Sequence, residues 1–217
     1  MRKPDVMLNG ISMDGLGWLR EGITFPAPQS QTNTIVVPGR NSPIRYTEAF
    51  GRVSYQPRSF DITLSMLGTR EKFNQMSEQI VNRFTGQLVN VILSEESALY
   101  YVGTLEITLG YDPLTHKGQL TINSSDADAY RYHTEETVVA VTGGGNVILS
   151  NDFMPAVPTV MVTEETTLKW QVGTDRFIKT VSAGTWTFPE LELVQGENEI
   201  EVTTGGTVTF RYREGRL

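Results

Sequence analysis

Apolar and polar residues alternate along most of this 217-residue chain. The clearest segment is 59–67, in which Phe60, Ile62, Leu64 and Met66 share one side and polar residues occupy the other. A period of two is what a β-strand with one buried face requires. The same alternation returns in segments 88–93, 99–109 and 118–123. The pattern therefore predicts a mainly β protein.

One segment, about 69–85, departs from this alternation. Thr69 is a suitable N-cap, Arg83 suits the last turn, and Gly86 follows as a typical stop residue. Between them, apolar residues recur at spacings of three and four: Phe73, Met76, Ile80 and Phe84. The segment is predicted to form one helix whose apolar stripe packs on a sheet.

A second β region is predicted after Tyr132. A polar run at 133–137 and the glycine triplet 143–145 interrupt the pattern, and no helical segment follows. Short strands are predicted instead at 159–162, 168–172, 177–181, 185–188, 199–202 and 207–212. Many short strands without a helix favour a β-sandwich. We predict two domains, a β domain with the helix at 1–133 and a β-sandwich at 134–217.

The net charge of −7 is unevenly distributed, with −1 in residues 1–133 and −6 in residues 134–217. Proteins that neutralise phosphates need an excess of Lys and Arg, so no specific nucleic-acid binding is expected. In 190–201, glutamates alternate with apolar residues and predict a charged outward strand face. We interpret this face as solvated, with a calcium site as the alternative.

The chain offers little for catalysis or for a cofactor. It has no cysteine, and its two histidines, His116 and His133, have no metal-binding spacing. Phosphate-binding loops, dinucleotide-binding glycine motifs and nucleophile elbows are absent from the sequence. Asp126 and Asp128 are spaced like the first ligands of a calcium loop, without the rest of that motif. No catalytic residue, metal or cofactor is expected, and a paired-carboxylate glycosidase is the weakest alternative.

The first ten residues include Pro4, Asp5 and Asn9 where a signal peptide would be continuously apolar. No window approaches the roughly 18 to 20 apolar residues that span a bilayer. We therefore expect a protein that is made in the cytoplasm and has no membrane partner.

Aromatic residues in the second region suggest a different function. Exposed Trp or Tyr rings beside polar groups are suited to holding sugar rings. Trp170 is in phase with Leu168 and Val172 and is interpreted as a core residue, whereas Trp186 could be core or a sugar platform. A carbohydrate-binding host-recognition module in the second domain is therefore an alternative function, with Trp186 as its candidate contact.

Several short motifs follow one another along the chain. An early Asn9-Gly10 pair predicts a hairpin turn because both residues tolerate positive φ. The VPGR turn at 37–40 follows, and the late part carries Pro189, Gly196 and Asn198. The order of these motifs resembles the distal tail protein (Dit) family of long-tailed bacteriophages over nearly the whole chain. The stretch SSDADAY departs from the family pattern, which has a more apolar strand end and a Pro-containing exit there.

The resemblance implies an amino-terminal β domain with one helix that forms a six-fold ring, and a carboxy-terminal galectin-like sandwich. In the family the ring joins the tail tube to the tail-associated fibre or lysin protein and can anchor receptor-binding proteins. The implied location is the tail tip of the virion, assembled in the bacterial cytoplasm. The implied role is structural, without catalysis, and the ring would surround DNA in transit.

Segment 40–58 is rich in arginine, with Glu48 as its one acidic residue. A first domain of nearly zero net charge can associate with its own copies without strong repulsion. We predict that edge strands and the loop around VPGR bridge neighbouring subunits. The basic segment is predicted to contribute to an intersubunit or inter-ring contact, with a solvated loop as the alternative. The predicted interface residues are Val37, Pro38, Gly39, Arg40, Arg45, Arg52 and Arg58.

Overall fold

The computed structural model describes residues 4–45 and 52–217, with only the backbone of Arg45. The chain divides into two compact units, Met1–Arg131 and Tyr132–Leu217. Strands dominate both units, and one α-helix occurs in the described residues. The prediction of a mainly β fold with one packed helix is confirmed.

The first unit contains ten strands and the helix in its described part. Two sheets carry most of them, with strand orders β2-β1-β7-β8 and β3-β6-β10-β9, while β4 and β5 form a separate pair. The elements are β1 (Val6–Leu8), β2 (Ile11–Ser12), β3 (Leu19–Thr24), β4 (Thr34–Ile35), β5 (Ile44–Arg45), β6 (Arg58–Leu67), α1 (Arg70–Phe84), β7 (Leu88–Leu93), β8 (Leu99–Thr104), β9 (Glu106–Asp112) and β10 (Lys117–Ala127).

The two sheets of the first unit share one core. The alternating residues of β6 that the sequence places on one face, Phe60, Ile62, Leu64 and Met66, are all buried there. They meet inward residues of β1, β7 and β10 in the same apolar cluster. Asn9 and Gly10 have φ of 47° and 80° and join β1 to β2, which confirms the predicted hairpin turn.

Helix α1 covers the predicted segment within one residue at each end. The Thr69 side chain accepts a hydrogen bond from the Lys72 N–H, as an N-cap does. Phe73, Ile80 and Phe84 are buried against the core, and Met76 is partly buried. The apolar stripe therefore fastens the helix to the sheets, as predicted from its spacing.

The prediction of one continuous strand at 99–109 is wrong. The structure divides it at Leu105 into β8 and β9, which belong to different sheets. Leu105 is fully buried and exchanges backbone hydrogen bonds with the segment after the helix, accepting from Gly86 and donating to Gln87. The chain stays extended where it passes from one sheet to the other at Leu105. The alternation of apolar and polar residues therefore continues although the pairing strand changes.

The second unit consists of two four-stranded antiparallel sheets, with orders β12-β19-β14-β17 and β13-β18-β15-β16, and a short β11-β20 pair. Inward residues of both sheets form one apolar core that includes Trp170. The strands are β11 (Arg131–His133), β12 (Thr137–Thr142), β13 (Gly145–Asn151), β14 (Thr159–Val162), β15 (Thr166–Val172), β16 (Asp175–Val181), β17 (Gly184–Thr187), β18 (Gly196–Thr204), β19 (Thr207–Tyr212) and β20 (Gly215–Arg216).

No helix in residues 4–45 or 52–217 is long and apolar enough to cross a membrane.

Candidate assembly site

The segment 26–57, called the arm below, connects β3 to β6 in the sequence of the first unit. In its described part, β4 and β5 pair with each other and with no other strand. Side chains throughout 29–43 are exposed, and Val36 reaches 79%. Soluble monomers seldom present a run of apolar side chains to water without a binding role. The arm is therefore the strongest candidate for a contact with another molecule.

The VPGR motif forms a tight turn in the arm. The N–H of Arg40 donates to the carbonyl oxygen of Val37 at 3.1 Å. Gly39 has φ of +81°, and Pro38 precedes it, which matches the residue preferences of a type II turn. The turn holds Val37 and Arg40 at the surface, where both are exposed.

Arg58 lies at the base of the arm and is buried, with 6% of its surface exposed. Its Nε and Nη2 donate to the carbonyl oxygen of Pro26 at 3.2 and 2.7 Å. The guanidinium also lies 5.3 Å from the centre of the Tyr101 ring, and burial lowers the pKa of the Arg58 side chain. In the isolated chain Arg58 therefore tethers the two ends of the arm and is not at the surface.

Backbone and aromatic contacts reinforce the same base. The N–H of Gln31 donates to Ser54 O at 2.7 Å, and that of Gln56 donates to Gln29 O at 2.8 Å. Phe25 stacks on Phe60 with ring centres 4.9 Å apart. Hydrogen bonds and ring stacking thus hold the base of the arm, whereas the side chains of 29–43 are exposed.

The remaining predicted interface arginines differ from Arg58 in location. Arg40 and Arg52 are exposed. Arg45 belongs to β5, and its side chain lies outside the described structure, as does the whole of Glu48. The structure brings Arg58 to the arm base and Arg40 to the turn, so these two residues do not form one basic cluster.

The inward position of Arg58 had a signal in the sequence. Arg58 is in phase with Phe60 and Ile62, which face the core of the same strand. A period of two places residues 58, 60 and 62 on one face. The arginine content of 40–58 favours a surface segment, whereas this register places Arg58 on the inward face.

The sheet β3-β6-β10-β9 has two edges without a neighbouring strand in the described part of the chain. Strand β9 pairs with β10 in unbroken register from Asp112 to Glu106, so its other side is a regular, open edge. Strand β3 carries a bulge between Arg20 and Gly22. Open edges present free backbone N–H and C=O groups that another chain can pair with.

The outward face of this sheet is mostly polar, with the exposed Leu19 and Leu67 also on it, and it lacks a basic patch. Register places Thr63, Thr121 and Thr108 in one row across β6, β10 and β9. A neighbouring row contains Asp61, Asn123 and Glu106, which are exposed or half-buried.

Further along the same face, Lys117 forms a salt bridge with Glu21 at 2.6 Å and lies opposite Asp112. This face offers hydroxyl and carboxylate groups without an excess of positive charge. No local pattern in the sequence marks this face, because strand register joins residues from distant segments.

The acidic residues considered for calcium have protein partners. Asp126 accepts from the Thr104 N–H at 3.0 Å and from Ser124 Oγ at 3.2 Å, and these hydrogen bonds lower its pKa. Glu201 is paired with Lys169, and Glu190 with Lys179. No group of three or more potential metal ligands occurs in residues 4–45 and 52–217.

Trp186 lies on the edge strand β17 of the second unit. It pairs with Val160, a fully buried residue, so its ring is on the core side of the sheet. Its Nε1 donates to Ser182 O at 3.0 Å, and 37% of the residue is exposed. The ring is therefore on the core-facing side of the edge strand and not on the outer face, and it remains partly exposed there.

Comparison with solved structures identifies the fold. The chain aligns with SPP1 Dit (gp 19.1), from the hub adsorption apparatus of phages that infect Gram-positive bacteria, over 100% of both chains. The TM-score is 0.73 at 14% sequence identity. The chain has the Dit fold. The resemblance noted in the sequence is thus confirmed at the level of the fold.

Two further solved structures have a similar fold. A chain of the phage P2 baseplate in its activated conformation with Ca matches with a TM-score of 0.53, 10% identity and 98% coverage of both chains. The Sr form of that baseplate matches with a TM-score of 0.53 and 10% identity, and the alignment covers 99% of this chain and 98% of the other. No family model and no curated protein matches the sequence.

Proposed function

We propose that this chain is a hub subunit of a phage tail tip and acts by assembly, without a catalytic step. The observation that carries the proposal is the fold likeness over the full length of both chains to a phage hub protein. Because fold alone does not establish function, the surfaces of the chain must also suit assembly. Two of them do, the arm and the open sheet edges.

The open edges suit closure of a ring. If β9 of one copy pairs beside β3 of the next, each subunit uses two different surfaces, which is a heterologous contact. Such a contact closes when the rotation between copies divides a full turn evenly. In the proposed hexamer, six four-stranded sheets surround a central opening. The bulge of β3 leaves a shorter regular edge there, so the arm must supply further contact.

The arm supplies the apolar part of the subunit contact. Ile35, Val36 and Val37 are exposed in the isolated chain and lose water contact when a neighbouring copy covers them. Arg40, held by the VPGR turn, adds a charged contact at the rim. This combination of an apolar centre and a charged rim is common in protein interfaces.

The outward face of β3-β6-β10-β9 is proposed to line the central opening. Its Thr row and its acidic groups, among them Asp61 and Glu106, offer no array of cations to DNA phosphates. A polyanion can then pass through the opening without being held. The proposal therefore includes DNA in transit but no specific nucleic-acid binding.

The proposed partners follow from a ring at the tail tip. One side of the ring would join the tail tube protein and the other the tail-associated fibre or lysin protein, and receptor-binding proteins would attach to it. The location is the tail tip of the virion after assembly in the host cytoplasm. The second unit, with its net charge of −6, would stay solvated around the ring.

Mass photometry of the purified full chain tests the ring directly. A particle of six copies of the 24.2 kDa chain is expected, and negative-stain images should show a central opening. The double variant Ile35→Asp, Val36→Asp should shift the population to single copies, because burying two new carboxylates is costly. Val157→Asp, at an exposed apolar residue of the second unit, is the matched control and should keep the ring. A monomer for the unaltered chain at micromolar concentration, with no ring on addition of the tail tube protein, would contradict the proposal.

A further inference from the structure

A groove of about 490 Å³ lies on the outer face of the sheet β13-β18-β15-β16 in the second unit. Its size falls within the range of roughly 300 to 1,000 Å³ that is typical of small-molecule sites. The groove is separate from the arm and from Trp186, because its residues come from β13, β15, β16, β18 and the segment before β18.

Polar side chains line the floor of the groove in cross-strand rows. The first row runs Asn146, Glu201, Lys169 and Ile178 across all four strands. In a second row, Gln171 lies opposite Arg176 on β15 and β16. Paired residues on one sheet face lie within about 4.5 to 5.5 Å of each other at Cβ. Donors and acceptors therefore alternate at the spacing of neighbouring strands.

Several of these groups are held in place by hydrogen bonds. Lys169 Nζ is 2.8 Å from Glu201 Oε1, and Asn146 Nδ2 donates to Glu199 Oε1 at 2.9 Å. Gln171 Nε2 donates to Gly173 O at 2.8 Å. Fixed polar groups lose less conformational entropy when a ligand binds.

Asn198 makes one wall of the groove rigid. Its Nδ2 donates to the carbonyl oxygens of Leu149, Val194 and Gly196, and its Oδ1 accepts from the Val194 N–H. Four bonds from one amide fix the turn at 194–198 against β13. Val194 and Glu197, which line the groove, are thereby held in position.

The groove also has apolar surface at one side. Ile178 is 65% exposed and lines the groove on the outer face. The half-buried Phe177 pairs with Trp170 and stacks on it from the core side of the sheet, with ring centres 5.5 Å apart. An apolar patch next to fixed donors and acceptors fits a ligand with a C–H face and hydroxyl groups around its edge.

Charge decides the class of ligand. The lining contains the cations Lys169 and Arg176 and the carboxylates Glu197, Glu199 and Glu201, so the two signs nearly balance. A polyanion would need an excess of cations in the lining. A metal ion would be repelled by the two cations that lie in the same groove. Sugar hydroxyls both donate and accept, and suit the alternating groups without net charge.

We propose that this groove binds a neutral sugar, a monosaccharide or a disaccharide unit of a larger glycan. Glu199 and Glu201 accept from sugar hydroxyls, Arg176 and Lys169 donate to them, and Ile178 supports the C–H face. The site lies on the opposite sheet from Trp186, which the sequence suggested as the sugar contact. The inference does not depend on the ring, because every residue of the groove belongs to one chain.

Saturation-transfer NMR of the full chain tests this inference with a panel of D-glucose, D-galactose, N-acetyl-D-glucosamine and L-rhamnose. This method works for a single copy and for a ring. At least one panel sugar should give a signal. The double variant Arg176→Ala, Glu199→Gln should reduce that signal at least fivefold. The matched control, Arg211→Ala, Glu165→Gln, removes the same residue types outside the groove and should keep it.

Three results would overturn the proposal: no signal from any panel sugar, a signal that survives in the groove variant, or an equal loss in the control. Abolition by Trp186→Ala while the groove variant keeps its signal would also overturn it and favour the edge of the other sheet. Loss of the ring with a retained sugar signal would count against the proposed hub function alone.

Discussion

The ring of Phe73 on the helix packs directly over Gly118 on β10, where there is no room for a side chain. A Cβ at position 118 would come to 2.8 Å from Phe73 Cε2 and overlap other atoms of the ring. The stripe that fastens α1 to the sheet therefore depends on a glycine in the facing strand.

Replacing Gly118 should destabilise the first unit. We expect Gly118→Ala to lower the free energy of unfolding by about 1–3 kcal/mol, because the helix must shift to relieve the overlap. Urea unfolding followed by circular dichroism measures this. Gly110→Ala in the adjacent β9 is the matched control, since its Cβ would meet nothing within 4 Å. Equal effects of the two substitutions would show that the Phe73 contact is not the cause.

Removing Arg58 should loosen the base of the arm. In Arg58→Ala the carbonyl of Pro26 loses both guanidinium hydrogen bonds, at an expected cost of about 1–3 kcal/mol. Hydrogen exchange should then accelerate at the Gln31 and Gln56 amides, which close the same base. Arg40→Ala, at an exposed arginine, should leave those two amides protected. Unchanged exchange in Arg58→Ala would refute the tethering role.

Reversing charge in the arm tests the predicted basic contact. The double variant Arg40→Glu, Arg45→Glu should reduce the hexamer fraction at least tenfold by mass photometry, because a favourable contact becomes a repulsive one. Lys72→Glu with Arg83→Glu reverses two charges on the helix and should leave the hexamer fraction unchanged. A normal ring in the arm variant would instead favour a solvated loop.

Trp186→Ala should act on stability. The ring borders the core beside Val160 and is partly exposed, so we expect a loss of about 1–3 kcal/mol, less than for a fully buried tryptophan. Thermal unfolding of the full chain measures it, and sugar binding in the groove should persist. An unfolding temperature equal to that of the unaltered chain would show that the ring contributes nothing to the core edge.

Asp126 should contribute a pH-dependent part of the stability. Hydrogen bonds from Thr104 and Ser124 lower its pKa in the folded chain below the unfolded value of about 3.9. Its contribution is therefore complete above that unfolded value and is lost as pH falls through the lower folded pKa. Asp126→Asn should be less stable than the unaltered chain at pH 7, with the difference narrowing toward pH 3. Urea unfolding at both pH values tests the sign, and a difference that widened in acid would reverse it.

Local patterns predicted much of the fold. Phe60, Ile62 and Leu64 alternate with polar residues, so a strand places all three on the same face. Burying that one face removes all three side chains from water. Thr69 caps the helix through a bond to a residue three positions away, and Asn9-Gly10 forms its turn through its own φ angles. These features depend on neighbours in the chain, so the sequence carries them directly.

The candidate surfaces could be predicted only in part. The VPGR turn and the exposed arginine at position 40 follow from local residue preferences. The period of two along β6 also indicates the inward position of Arg58, whereas the division at Leu105 depends on which strands pair across long separations. Periodicity assigns a face to each residue but does not name the neighbour on that face.

The amino-acid sequence by itself determined the strand-rich character and the one helix of this protein, since both follow from residue order over a few positions. It also determined the uneven charge, which follows from composition alone. Only the tertiary structure decided that Asn146, Glu201, Lys169 and Ile178 meet in one row of a groove. These four residues come from separate strands, and their meeting is set by backbone pairing and by the packing of two sheets around one core. Such long-range register is a property of the whole unit, and no short segment encodes it.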